Sequence, residues 1–168
     1  RLDRVPALRA WHRVMEPLND PGLVRKAYAD EKRYAARMAK QKTATGPDPY
    51  DVLFAAVAER TPWEVLEVGC GRGELAERMS REFPARVIAL DQSARMVELT
   101  VARGVEAIVG DVVSLPFRDA SFDCAVAAWM LYHASDLDQA LEELRRVLRP
   151  DGRLVAATSS ERNLAEVW

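Results

Sequence analysis

Long apolar runs are missing from this 168-residue sequence, and so is any close group of cysteines and histidines. No segment approaches the roughly 18 consecutive apolar residues of a membrane-spanning helix, and no signal-peptide pattern opens the chain. The two cysteines, Cys70 and Cys124, do not have the spacing of metal ligands. We therefore expect buried free thiols, no metal site, no membrane contact and a reducing, cytoplasmic location.

A strong excess of one charge is also missing from the whole chain, but not from its parts. The net charge is −2, yet residues 1–42 carry 11 basic and 5 acidic side chains, while the remainder has a net charge of −8. A basic segment can meet an anionic substrate or a nucleic acid. An amphipathic helix with a solvated charged face is the simpler explanation. With 49% hydrophobic and 30% charged residues, the composition is that of one soluble globular domain.

The first 60 residues carry mainly helical patterns interrupted by breakers. A turn at 19–22 precedes a helical stretch from Leu23 to about Lys40, and the breaker stretch Thr43–Pro49 precedes a helix from about Tyr50 to Glu59. We expect residues 1–60 to form an N-terminal helical cap and residues 61–168 to form the core of a single domain.

The segment from Glu64 to Leu75 combines a strand pattern, a glycine turn and the start of a helix. Apolar residues run up to Val68, and glycines follow at alternate positions in Gly69-Cys70-Gly71-Arg72-Gly73. Glycine permits positive φ and lets a ligand approach without meeting a Cβ atom. The pattern predicts a ligand-binding turn at the carboxyl end of a parallel strand.

The spacing of the glycines indicates which kind of ligand this turn binds. Dinucleotide-binding turns have G-x-G-x-x-G, whereas the third glycine comes one residue earlier here, which speaks against a nicotinamide dehydrogenase. Glu67, two residues before the first glycine, disfavours a pyrophosphate and suits a ligand that carries a cation. The stretch Glu67–Gly73 resembles the glycine motif of class I S-adenosylmethionine-dependent methyltransferases.

Later segments extend this resemblance. Asp91 ends a predicted second strand, Arg86–Leu90, and lies 18 residues after Gly73, where an acid can accept both hydrogen bonds of a ribose diol. The segment Gly110–Phe117 resembles the part of the family's third-strand signature that holds the adenine, which implies that Asp111 and the backbone of Val112 bind the base. The resemblance thus implies a set of cofactor-binding residues: Glu67, Gly69, Cys70, Gly71, Gly73, Asp91, Gln92, Asp111, Val112 and Ala128.

Predicted strands alternate with helices through the rest of the chain, at 105–109, 124–129 and 153–158. This alternation predicts an α/β fold with a Rossmann-like, doubly wound parallel sheet. The resemblance covers residues 63–158. The family's sheet normally ends in an antiparallel hairpin of two further strands, and the sequence stops before them. We therefore expect the chain to be a piece of a longer one.

The activity implied by the resemblance is transfer of a methyl group from a sulfonium to a nucleophile, with S-adenosylhomocysteine as the product. His133 is the candidate general base, although a structural hydrogen-bonding role is the simpler explanation. We expect a small-molecule methyl acceptor. Two alternatives stay open: an RNA methyltransferase that uses the basic N-terminal segment, and a cofactor-binding scaffold without catalysis. The acceptor atom and the oligomeric state do not follow from the sequence.

Overall fold

A five-stranded parallel sheet forms the centre of the protein in the computed structural model, which describes residues 20, 22–23 and 47–158. The predicted N-terminal cap lies outside the described residues, except for its last helix. The region after residue 158, where a terminal hairpin would follow, lies outside them too. No helix within the described ranges is long and apolar enough to cross a bilayer.

Helices and strands alternate along the described chain. They are α1 Pro49–Ala58, β1 Glu64–Val68, α2 Glu74–Glu82, β2 Arg86–Asp91, α3 Ala94–Val101, β3 Glu106–Val109, β4 Phe122–Ala128, a 3-10 helix Leu131–His133, α4 Leu137–Val147 and β5 Leu148–Ala157.

Side-chain caps fix the starts of three helices, because the first N–H groups of a helix have no partner within it. Asp48 accepts a hydrogen bond from the Tyr50 N–H at 2.8 Å at the start of α1. Ser93 accepts from Met96 at the start of α3, and Asp136 accepts from Gln139 at the start of α4. Serine and aspartate are among the residues that are preferred at this position because their side-chain oxygens can accept these bonds.

The strands lie in the order β3-β2-β1-β4-β5, and all four pairings are parallel. The chain moves outward from β1 through β2 to β3, then crosses to the other side of β1 to form β4. In open α/β sheets, ligands bind at the carboxyl ends of the strands where the order reverses in this way. The predicted Rossmann-like doubly wound sheet is confirmed, and its reversal point lies between β1 and β4.

Alternate residues of the strands pack into two hydrophobic cores, one on each face of the sheet. On one face, Leu66 and Leu90 pack with the buried side of α4. On the other, Val65 and Val87 pack with α1 and α2. Parallel strands covered on both faces are nearly continuous in apolar residues, as the run Val87–Leu90 of β2 shows.

Some predicted boundaries differ from the structure. β4 ends at Ala128, one residue before the predicted end at Trp129, where the backbone turns to φ +53°. β5 begins at Leu148, ahead of the strand predicted at 153–158, and its pairing with β4 shifts register between Phe122 and Cys124. Val52 of α1 is 55% exposed, whereas Leu53 and Val57 of the same helix are buried in the core.

Asp123 joins three strands at the amino end of the sheet. Its Oδ2 atom accepts hydrogen bonds from the N–H groups of Trp63 and Glu64, both at 3.0 Å, and its Oδ1 atom accepts from Arg149. Burial acts to raise the pKa of Asp123, but the hydrogen bonds from Arg149 and the two N–H groups outweigh it and lower the pKa. The ionised carboxylate therefore stabilises the register of β1, β4 and β5.

We expect Asp123→Ala to lower the free energy of unfolding by about 1–3 kcal/mol, because it leaves two N–H groups without an acceptor. Urea unfolding followed by circular dichroism measures this loss. Glu142→Ala removes an exposed carboxylate from α4 and is the matched control. Equal stability of the two variants would contradict the role given to Asp123.

Candidate cofactor site

The glycine turn between β1 and α2 has the left-handed backbone that its sequence predicts. Gly69, Gly71 and Gly73 have φ values of +67°, +56° and +77°. A Cβ atom at Gly69 would lie 2.5 Å from the Cβ atom of Met130, and one at Gly73 would lie 2.7 Å from the side chain of Thr100. Glycine is therefore required at Gly69 and Gly73 by neighbouring protein atoms, in addition to any ligand.

Hydrogen bonds attach this turn to the tip of β2. The N–H groups of Gly69 and Cys70 donate to the Leu90 carbonyl at 2.7 and 3.1 Å. The Gly71 N–H donates to Asp91 Oδ2 at 2.9 Å, while Asp91 Oδ1 accepts from Ser93 at the start of α3. The two segments predicted to bind the cofactor are thus held together by the protein itself.

The underside of the turn rests on α3 and the residues that follow it. Thr100 donates from Oγ1 to the Gly71 carbonyl at 3.2 Å. Arg103 donates from Nε to the Arg72 carbonyl at 2.7 Å and from Nη1 to Glu77 at 2.6 Å. These contacts satisfy the carbonyls of the turn and leave its upper side facing the cleft.

A cleft of about 870 Å³, its open mouth included, lies above the turn. Its walls come from the carboxyl ends of β1, β2 and β4, from the loop after β3 and from the start of α1. The lining residues are Tyr50, Glu67, Gly69, Cys70, Gly71, Glu74, Leu75, Leu90, Asp91, Gln92, Gly110, Val112, Ala128, Trp129, Met130, Tyr132 and His133.

Most of the predicted site residues are brought together at this cleft. Eight of the ten predicted cofactor-binding residues and His133 line it. Gly73 lies beneath the turn against Thr100. Asp111 lies in the loop after β3, where its Oδ1 atom accepts a hydrogen bond from the Val113 N–H at 3.2 Å. Gly73 and Asp111 are thus the two predicted residues that do not line the cleft.

Glu67 is the most unusual group in the cleft. Its side chain is almost fully buried, and its Oε2 atom has no hydrogen-bond partner. Burial raises its pKa from 4.5 to about 8, the negative charge of Asp91 adds to the rise, and the Ala76 N–H in the first turn of α2 opposes it. A buried carboxyl with an unused oxygen is costly unless a ligand completes its bonding.

Asp91 and Gln92 provide further acceptors beside Glu67. Burial raises the pKa of Asp91, against the hydrogen bonds that it accepts from the N–H groups of Ser93, Gly71 and Gln92. The Gln92 Oε1 atom is buried and, like the Oε2 atom of Glu67, has no hydrogen-bond partner. The lining contains the carboxyl groups of Glu67, Glu74 and Asp91. No lysine or arginine of the described part of the chain lines the cleft.

Aromatic side chains form the wall above β4. Trp129 has φ +53°, and its N–H donates to the Ala157 carbonyl of β5 at 2.9 Å. Its ring lies 5.0 Å from that of Tyr50 on α1. His133 is buried and its ring lies 4.4 Å from that of Tyr132. Within the described part of the chain, no group of three or more histidine, cysteine, aspartate or glutamate side chains is arranged to hold a metal.

Several residues that shape the site were not predicted as such. Tyr50 was assigned only to a helix, and Thr100 and Arg103 were not singled out. The spacing of Thr100 from Met96 and Val97, which places a threonine on the apolar face of that helix, is the one local signal that could have been used. Nothing in the sequence near Arg103 indicates that its side chain reaches back to Arg72.

We expect Gly73→Ala to destabilise the protein and to distort the turn, since its Cβ atom would meet Thr100. Gly104→Ala is the matched control: Gly104 also has positive φ, at +82°, but a Cβ there would meet nothing within 4 Å. Both variants lose about 1–2 kcal/mol from left-handed backbone alone. Thermal unfolding should show a larger loss for Gly73→Ala; equal losses would mean that the turn shifts to accept the methyl group.

Comparison with known proteins identifies the family. The family described as "Methyltransferase domain" matches residues 66–156, more than half of the chain. The malonyl-[acyl-carrier protein] O-methyltransferase of Pseudescherichia vulneris is 36% identical over 119 residues, which are 70% of this chain and 47% of that protein. The demethylmenaquinone methyltransferase of Thermotoga maritima is 39% identical over 102 residues, 59% of this chain and 44% of that protein.

A solved structure with a different activity in its name is similar as well. The [4+2]-cyclase SpnF superposes with a TM-score of 0.57 and 35% identity, covering 62% of this chain and 43% of that one. This chain spans less than half the length of the curated relatives named above. From the family match, the parallel sheet and the glycine turn with its neighbouring acids, the chain belongs to the class I S-adenosylmethionine-dependent methyltransferases.

Proposed function

We propose that the protein binds S-adenosylmethionine in this cleft and transfers its methyl group to a small-molecule acceptor. The observation that carries the proposal is Glu67, a buried carboxyl in the cleft wall with one oxygen unpartnered. A ligand with a positive charge would complete that bonding and favour the ionised carboxylate. S-Adenosylmethionine carries an amino group and a sulfonium, so its methionine end suits this part of the cleft.

The remaining residues fit the other parts of the cofactor. Asp91 uses part of its roughly four lone-pair sites on backbone N–H groups, and the others are available to a ribose diol. Gln92 offers a buried oxygen beside it. Val112 would contact the base, and Asp111 in the same loop would accept from its amine after a small change of side-chain direction.

When bound, the cofactor supplies a methyl group that its positive sulfur already activates. The chain's own residues hold the donor, and such positioning contributes up to roughly 7–11 kcal/mol to lowering a barrier. Tyr50 and Trp129 would exclude water from the wall beside the acceptor. His133, buried in the same wall, would take the proton of an oxygen or nitrogen acceptor.

A second candidate is a cofactor-binding protein that does not transfer methyl groups. The similarity to a protein named as a cyclase favours this candidate, because its 35% identity is close to the 36% identity of a named methyltransferase. An assay with radiolabelled S-adenosylmethionine and a panel of hydroxyl, amine, thiol and activated-carbon acceptors separates the two. Binding without transfer to any acceptor would favour the second candidate.

We expect S-adenosylmethionine binding near pH 7 to release a proton. Free Glu67, with a pKa of about 8, is mostly neutral at pH 7, and a bound cation favours its ionised form. Calorimetry in buffers of different ionisation enthalpy measures this release, which should disappear above about pH 9 as Glu67 is already ionised.

Glu67→Gln should abolish the proton release and weaken binding by about tenfold or more, since the neutral amide cannot pair with a cation. Glu64→Gln, at the half-buried start of the same strand and outside the cleft lining, is the matched control and should bind as the unmodified chain does. No heat with either S-adenosylmethionine or S-adenosylhomocysteine would overturn the proposal. Proton release that persists in Glu67→Gln would assign it to another group.

The same carboxyl gives the stability a defined pH dependence. Because the pKa of Glu67 is raised from 4.5 to about 8, the folded state binds more protons than the unfolded state between those values. Its contribution is therefore complete below about pH 4.5 and falls as the pH rises to about 8. Urea unfolding at intervals across this range should show a smaller decline for Glu67→Gln; parallel curves would contradict the assignment.

A further inference from the structure

The loop between β3 and β4 carries the part of the cleft assigned to the base, and two side chains of α4 hold it. Val112 of this loop is buried and lines the cleft. Gly110, at its start, donates to the Asp91 carbonyl at 3.0 Å. The rest of the loop, from 113 to 121, crosses the face of the sheet that α4 covers.

Arg146 on α4 uses every N–H donor of its guanidinium within this region. Nη2 donates to the Leu115 carbonyl at 3.0 Å, and Nη1 donates to the Phe117 carbonyl and to Asp119, both at 2.8 Å. Nε and Nη2 form a paired contact with Glu143 at 2.7 and 2.8 Å. Five donors thus meet five acceptors, and three of those acceptors belong to the loop.

Glu143 completes the arrangement from the same helix. Its Oε2 atom accepts from the Leu115 N–H at 2.7 Å, so the N–H and the carbonyl of Leu115 are both bound by the Glu143–Arg146 pair. The hydrogen bond from Arg146 lowers the pKa of Glu143. The backbone of the same helix end also accepts from Ala120 and Ser121. Both halves of the loop are therefore tied to the last turn of α4.

Arginine is needed for this contact because its planar fork presents fixed donors in two directions. A lysine would keep the charge but offers a single ammonium on a flexible stem. The position of Leu115, three residues after Val112, links the pair to the cleft wall. Loss of the fork would free the Leu115 carbonyl and remove the two hydrogen bonds that orient Glu143, which would allow the segment 111–115 to shift.

We propose that Arg146, oriented by Glu143, is a positioning residue for the base-binding end of the cleft. Arg146 does not touch the ligand. It fixes the position of the loop that does, and so it controls how strongly the cleft prefers adenine to other bases. This inference rests on the proposed function, because it requires an adenosine-containing ligand in the cleft.

Calorimetric titration of the full chain with two ligands tests the inference. One is S-adenosylhomocysteine and the other is S-inosylhomocysteine, in which an oxygen replaces the exocyclic amine of the base. We expect the unmodified chain to prefer the adenine form. Arg146→Lys should weaken the binding of S-adenosylhomocysteine by about tenfold and the binding of S-inosylhomocysteine by less. The ratio of the two dissociation constants should therefore approach one.

Two controls separate positioning from loss of stability. Arg145→Lys changes the exposed neighbour on the same helix and should leave the ratio unaltered. Val57→Ala truncates the core on the opposite face of the sheet and should lower the melting temperature without changing the ratio. If Arg146→Lys does not fold, Glu143→Gln, which retains the arginine, should reduce the ratio in the same direction.

The outcomes are distinguishable from those of the proposed function. If the unmodified chain prefers the adenine form and Arg146→Lys, or Glu143→Gln in its place, leaves the ratio of the two dissociation constants unchanged, this inference alone is overturned. An unmodified chain that binds both ligands equally would overturn it as well. Failure of the unmodified chain to bind either ligand would overturn the proposed function and this inference with it.

Discussion

The attachment of the glycine turn to the tip of β2 is the contact on which the cleft depends. Two N–H groups donate to the Leu90 carbonyl and a third donates to Asp91, so the end of β1 and the end of β2 form one surface. Parallel pairing brings these ends to the same edge, and the reversal of strand order after β3 adds the end of β4 beside them. The buried acids then face a common space because the backbone holds them there.

Much of this arrangement follows from local sequence signals. The glycine turn, the caps at Ser93 and Asp136 and the order of strands and helices depend on residues close to each other in the chain. The positions of Glu67 and Asp91 at strand ends follow from the same signals, because each directly follows or belongs to a predicted apolar strand. For these features the sequence was sufficient to predict both the element and the edge of the sheet.

The parts that were not predicted depend on contacts between distant residues. Gly73 was expected to approach a ligand, but Thr100, on another helix, occupies the space beside it. Arg146 carries no motif, and its contact with the loop 115–119 requires the rotation of α4 to be known. The start of β5 at Leu148 differs from the prediction because a turn-like sequence can continue a pairing through a register shift. Patterns within one element cannot supply such relations.

Trp129 combines a large side chain with a backbone conformation in which glycine would be unstrained. Replacement by glycine would relieve the backbone at the end of β4, but it would remove a ring that packs on the core cluster of α1 and α2 and lies 5.0 Å from the ring of Tyr50. The left-handed backbone at Trp129 is therefore the conformational cost of placing an indole in the wall of the cleft.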